Sequence, residues 1–318
     1  MAGDWPQFRG PNRDGRWNET GILDSFPREG LKILWRHPIG GGWASPVVAQ
    51  GRVFVFDVEL TKPASRERLH CFEEKTGKIL WVYAYEEHYS EWTFVPERGA
   101  GPTATPIVEQ DRIYFVGANG NAHCLNVKTG AVIWEKNIGQ EYVVAEMACR
   151  PSPLLEGSML IVFTGAKPGA SVIALDKQPG KKVWQALDDP VSNSSPIAIT
   201  SAGKRQLIVW SGSSITSLDP GNGRTYWRLP IVTSNNDSIP TPVIQGNRLL
   251  VSGLMLELSP DVPSASFLWP KNRAPSQRIL STPQRPFCKE NTSSARGPRV
   301  NSFAWKRPPA GNFGLRTV

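Results

Sequence analysis

No stretch of eighteen consecutive apolar residues occurs in this chain of 318 residues, so no membrane-spanning helix is expected. The opening MAGDWPQFRG has no charged region followed by an apolar one, and the sequence as given carries no export signal. Cysteine is scarce. Cys71 and Cys124 fall at one position of two successive repeats, Cys149 lies between strand signals and Cys288 near the C-terminus, which is no disulfide framework; free thiols are expected. Histidine is equally scarce, at positions 37, 70, 88 and 123, and neither a Ser/His/Asp constellation nor a calcium-binding spacing of carboxylates is readable. The pairs His70-Cys71 and His123-Cys124 invite a zinc reading. Adjacent strand residues point to opposite faces, however, so one side chain of each pair is expected inward and one outward, with no shared ion. No catalytic residue and no metal site are predicted.

Basic charge is also scarcer than the total suggests. The formal charge is +8, but residues 282–318 hold seven Lys or Arg against one Glu, leaving +2 for residues 1–281. Basic residues interleaved with stacking aromatics are missing from the rest, so nucleic acid is not an expected partner.

What the chain does have is a repeat. Four segments end in glycine followed four residues later by tryptophan: LHCFEEKTGKILW (Gly77, Trp81), AHCLNVKTGAVIW (Gly130, Trp134), VIALDKQPGKKVW (Gly180, Trp184) and ITSLDPGNGRTYW (Gly223, Trp227). A degenerate fifth, LELSPDVPSASFLW, ends at Trp269 without the glycine, and Trp35 in LKILW stands alone upstream. Ahead of each copy lies a small residue plus proline, an apolar pair, a turn and an alternating run, as in SPVVAQGRVFVF and TPIVEQDRIYFV. Each period of 42 to 53 residues therefore holds four strand signals, which is the content of one propeller blade. The expected fold is all-β: a β-propeller of five four-stranded blades plus an outer strand at Trp35, in an incomplete ring. The tryptophans are expected to fill the gaps between blades.

The pattern [LI]-D-x-x-T-G-x-x-x-W resembles the repeat of pyrroloquinoline-quinone (PQQ) enzymes and of the PQQ-like β-propellers that include BamB. The opening DWPQFRGPNRDGRW is similar to the start of exported bacterial proteins of that kind, so the resemblance implies an exported or periplasmic location. For the enzymes it implies PQQ with calcium, held by Glu, Asn and Asp beside a catalytic Asp and a vicinal cysteine disulfide. This sequence has no adjacent cysteines, and nothing aligns its carboxylates with that ligand set.

Residues 1–29 are read as an N-terminal extension, 30–281 as the propeller and 282–318 as an irregular tail. The tail has five prolines and no strand alternation. Read one nucleotide earlier, Pro283 to Glu290 permits T-S-T-P-L-L-Q-G and Val300 to Gly314 permits G-E-L-V-C-L-E-A-A-T-G-R-Q-L-W, both halves of a sixth blade. A frameshifted, truncated propeller is expected.

A propeller offers ligands the mouth of its channel, lined by the loops that enter the first strand of each blade and those between second and third strands. The uneven loops place Trp43, Arg98, Glu146, Arg150, Asn193, Asn236 and Asp237 there as candidate contacts. The expected function is non-catalytic binding of a protein or small ligand; the alternatives are a relative of the PQQ-dependent dehydrogenases or a product without independent function.

Overall fold

Pro46, Pro106, Pro153, Pro196 and Pro242 each stand immediately before the first strand of a sheet, where a residue lacking an N–H costs no ladder bond. The structure, a computed structural model, describes residues 3–21, 25–62, 64–94, 100–231 and 238–269. Within them are five four-stranded antiparallel sheets, each a meander in chain order. Blade 1 is β1 (Val47–Ala49), β2 (Arg52–Glu59), β3 (Ser65–Glu73) and β4 (Ile79–Glu87); blade 2 is β5 (Ile107–Glu109), β6 (Arg112–Val116), β7 (Asn121–Asn126) and β8 (Val132–Asn137). Blade 3 is β9 (Leu154–Glu156), β10 (Met159–Ala166), β11 (Ala170–Asp176) and β12 (Lys182–Ala186), and blade 4 is β13 (Ile197–Ser201), β14 (Lys204–Trp210), β15 (Ser214–Leu218) and β16 (Thr225–Pro230). Blade 5 is β17 (Val243–Gln245), β18 (Arg248–Val251), β19 (Leu254–Leu258) and β20 (Ala265–Trp269).

The turns explain the repeat letter by letter. Gln50-Gly51 and Ala202-Gly203 have positive φ at both residues, the geometry that matches a two-residue hairpin to strand twist. The connection from third to fourth strand is longer. Asn126, Asp176 and Asp219 accept backbone N–H bonds two residues on through their side chains, and the glycines four residues on, Gly130, Gly180 and Gly223, return an N–H to their carbonyls at 2.8–2.9 Å.

Each glycine is also where the preceding blade docks. A Cβ on Gly77, Gly130, Gly180 or Gly223 would lie 2.5–2.7 Å from the indole of Trp35, Trp81, Trp134 or Trp184 respectively. Each indole N–H donates to the carbonyl three residues before its glycine, Glu74, Val127, Lys177 and Pro220, at 2.8–3.1 Å. The series stops where the motif degenerates. Trp227 donates instead to Gln206 Oε1 of its own blade, and Trp269 is 60% exposed. The segment 31–40 around Trp35 makes no ladder among the described residues, although its indole is docked as those of the outer strands are.

Blades covered on both faces change one expectation. Both members of His70-Cys71 and of His123-Cys124 are buried: the cysteines pack towards the following blade, while His123 is covered by Tyr83 and Tyr85 of the preceding blade and His70 by Asp57 and Phe72 of its own. Cys71, Cys124 and Cys149 are free thiols. Among the described residues, no helix is long and apolar enough to cross a membrane.

The N-terminal segment lies against the first strands. Trp5 exchanges two backbone bonds with Val48, and Val108 donates its N–H to the Pro6 carbonyl. Arg13, 7% exposed, donates to the carbonyls of Pro153 at 2.8 Å, Pro196 at 3.2 Å and Ser152 at 3.4 Å. Residues 5–13 thus touch blades 1 to 4 in order.

Candidate functional site

The Ser/Thr-Pro pairs build the inner ring at the loop end of the channel. The Ser45 N–H donates to Thr105 Oγ1, the Thr105 N–H to Ser152 Oγ and the Ser152 N–H to Ser195 Oγ, at 2.9–3.1 Å. A hydroxyl before the proline is therefore the joint from one blade to the next, and it fixes where the entering loops begin.

On those loops two of the predicted residues meet. Arg150 donates from Nε to the Met147 carbonyl and from Nη1 to Asn193 Oδ1 at 3.5 Å, so these two candidates do come together. Glu146 accepts the Ser90 N–H at 2.9 Å, tying the third entering loop to the second. Burial would raise the carboxyl of Glu146, but hydrogen bonds from Ser90 and Trp92 outweigh it and hold it below the usual value. Trp43 is anchored by its backbone, with an N–H to the Pro102 carbonyl at 2.8 Å, and leaves its side chain 54% exposed. Arg98, Asn236 and Asp237 lie outside the described residues.

Sequence reasoning missed three buried carboxylates and the burial of His123. Asp57 accepts from Arg68 Nε and Nη2, His70 Nε2 and the Gly40 N–H; burial opposes its charge, but the bonds from His70, Arg68 and Gly40 prevail and hold its carboxyl at about 2. Asp189 accepts from the hydroxyls of Ser211 and Ser214 and from Arg228 Nη2, all within 2.6 Å. Its carboxyl is lowered because these bonds overcome burial. Glu67 is fully buried and accepts from the hydroxyls of Tyr85 and Tyr89 and the Ala118 N–H, yet burial wins there and pushes it up to about 7. His123 stacks on Phe115 and packs against Tyr85, its Nε2 has no partner, and burial pushes it down to about 3. One signal was available for Glu67. Ten residues before the repeat glycine the other copies have Gly120, Ala170 and Ser213, and only blade 1 has an acid.

These carboxylates spend their oxygens on protein donors. Among the described residues no group of three or more His, Cys, Asp or Glu side chains is placed to hold a metal ion. Asp57, Glu67 and Asp189, each tied to protein donors, therefore do not form the calcium-holding set that the resemblance implies for the enzymes.

The family described as Outer membrane protein assembly factor BamB matches residues 65–283. A quinohemoprotein alcohol dehydrogenase of Comamonas testosteroni is 22% identical over 233 residues, covering 70% of this chain and 31% of that protein. An outer membrane protein assembly factor BamB of Shewanella oneidensis is 24% identical over 217 residues, 66% of this chain and 48% of that protein. The chain thus spans less than half the length of either relative. The solved structure of the Comamonas testosteroni enzyme superposes with a TM-score of 0.55 at 14% identity, covering 84% of this chain and 49% of that one, which bears on the fold alone. A family match over most of the chain, on repeats whose glycines and tryptophans interlock blade by blade, means that this protein belongs to the BamB-like family of PQQ-repeat β-propellers.

Proposed function

We propose that this propeller is a non-catalytic binding protein that recognises a protein partner or small ligand with the loops entering its first strands. The observation that carries the reading is the exposure of Trp43 (54%), Trp92 (42%) and Val143 (77%) on three of those loops, alongside the charged Glu146 and Arg150. Aromatic anchors ringed by mixed charge have the composition of recognition surfaces, and large aromatics are where binding energy concentrates. The hydrogen bonds from the Ser90 N–H to Glu146 and from Arg150 to Asn193 hold these loops against one another, which lowers the entropy lost on binding. The assembly-factor relatives favour a protein partner.

The test is a photo-crosslinking residue placed at Val143 of the full chain, expressed in its native host. A discrete crosslinked protein, lost in the double variant Trp43→Ala/Trp92→Ala, is expected. The dehydrogenase relatives favour a second reading. Dye-linked alcohol oxidation by the purified chain supplied with PQQ and calcium would overturn the binding-only role.

A further inference from the structure

The N-terminal segment does more than line the first strands: with them it walls a cavity of about 480 Å³. Gln7, Arg9, Asn12 and Arg13 form one side, and the first strands at Ile107, Leu154 and Ile197 the other. The charged groups facing this space are unequally served. Glu109 pairs with Lys177 at 2.7 Å, Glu156 binds Arg205 through both carboxylate oxygens at 2.7 Å, and Asp14 accepts the Arg16 N–H at 2.9 Å. Arg13 has only neutral acceptors: the three blade carbonyls, a long bond to Gln7 Oε1 and the face of Phe8. Among the described residues no carboxylate lies within ion-pair distance of it, and its buried Nε has no partner.

A buried guanidinium without a counter-charge is costly, and a second arginine lining the same cavity adds to the cost. Both arginines also hold backbone that disfavours them, with φ of 62° at Arg9 and 55° at Arg13. Strain and unpaired charge in one place are the marks of a site organised for a ligand. Arginine is suited to that role because its planar donors match the oxygens of carboxylate and phosphate groups.

We propose that this cavity binds a small oxyanion, a carboxylate or phosphate group, with the Arg13 Nε–H as its donor and Arg9 as the second positive charge. The site is lined by the N-terminal segment and the first strands and uses none of the residues assigned to the recognition loops, so it stands independently of the function proposed above. Its rival is a purely structural Arg13 that ties blades 3 and 4 through their carbonyls. The two differ in one respect: a strut has no use for an anion.

Isothermal titration calorimetry of the full chain, with inorganic phosphate and with malonate in chloride buffer at constant ionic strength, separates them. Saturable one-to-one binding of at least one probe is expected, weakened tenfold or more in Arg13→Lys and severalfold in Arg9→Gln. Phosphate alone or malonate alone assigns the ligand class. No saturable heat with either probe, or affinity unchanged in the variants that fold, overturns the proposal; if Arg13→Lys does not fold, Arg9→Gln decides.

Discussion

The indole of Trp81 lies so close over Gly130 that a methyl group on the glycine would sit 2.7 Å from the ring. Gly130 also has φ +70°. Gly130→Ala is therefore expected to cost a left-handed strain of about 1–2 kcal/mol plus the displacement of a docked indole, roughly 3 kcal/mol or more in all. Gly51→Ala is the control, with φ +69° and nothing within 4 Å, and should cost only the strain. Urea unfolding of the two variants measures the difference.

Removing the Ser152 hydroxyl takes away the acceptor of the buried Thr105 N–H. Ser152→Ala is expected to lower stability by about 1–3 kcal/mol, the cost of a buried donor left unpaired. Ser201→Ala, at a partly exposed hydroxyl with one bond of 3.4 Å, should change it little. Thermal melts monitored by tryptophan fluorescence read both.

Glu67 binds a proton more tightly folded, at about 7, than unfolded, near its ordinary 4.5. The folded state thus carries the extra proton between those values, and stability falls as pH rises from 4.5 through 7. Glu67→Gln should flatten that slope, by an amount on the order of 3 kcal/mol across the window. Chemical denaturation at several pH values from 4.5 to 8 checks it, the slope being the readout because the glutamine also re-pairs Tyr85 and Tyr89.

On the acid side His123 has the opposite sign. Its imidazole stays neutral in the fold down to about 3 but charges near 6.5 in the unfolded chain, so stability is lost as pH falls below 6.5. His123→Phe keeps the ring stacked on Phe115 and has no nitrogen to protonate. It is expected to melt higher than the parent at pH 5 and about equally at pH 8, by differential scanning calorimetry.

How much of this was legible follows from what a repeat can encode. The prolines, turns, glycines and tryptophans recur, so period and spacing identify the blades, their strand starts and turns, and the indoles between blades. Asp57, Glu67 and Asp189 occur once each, and their partners come from other strands or loops: Tyr89 lies 22 residues beyond Glu67, and Arg228 lies 39 beyond Asp189. A single polar residue in a strand looks the same in sequence whether it faces water or a buried network. The loop candidates were chosen by position, which located Arg150 beside Asn193 but gave no means of telling side chains that hold loops from those left exposed. Burial of both His123 and Cys124 was missed because a lone blade has an outer face and a packed one does not.

The contact of Arg13 with Pro196 spans 183 residues, which ties it to the order in which the chain is made. At a synthesis rate of about 5–20 residues per second, Arg13 waits roughly 10 to 40 s after leaving the ribosome before its last carbonyl partner exists. During that interval the first three blades can form and take up Trp5, Pro6 and part of the Arg13 guanidinium, while its last acceptor is still missing. Protection of the segment around Arg13 therefore marks, on a nascent chain, the moment at which the fourth blade has joined the ring.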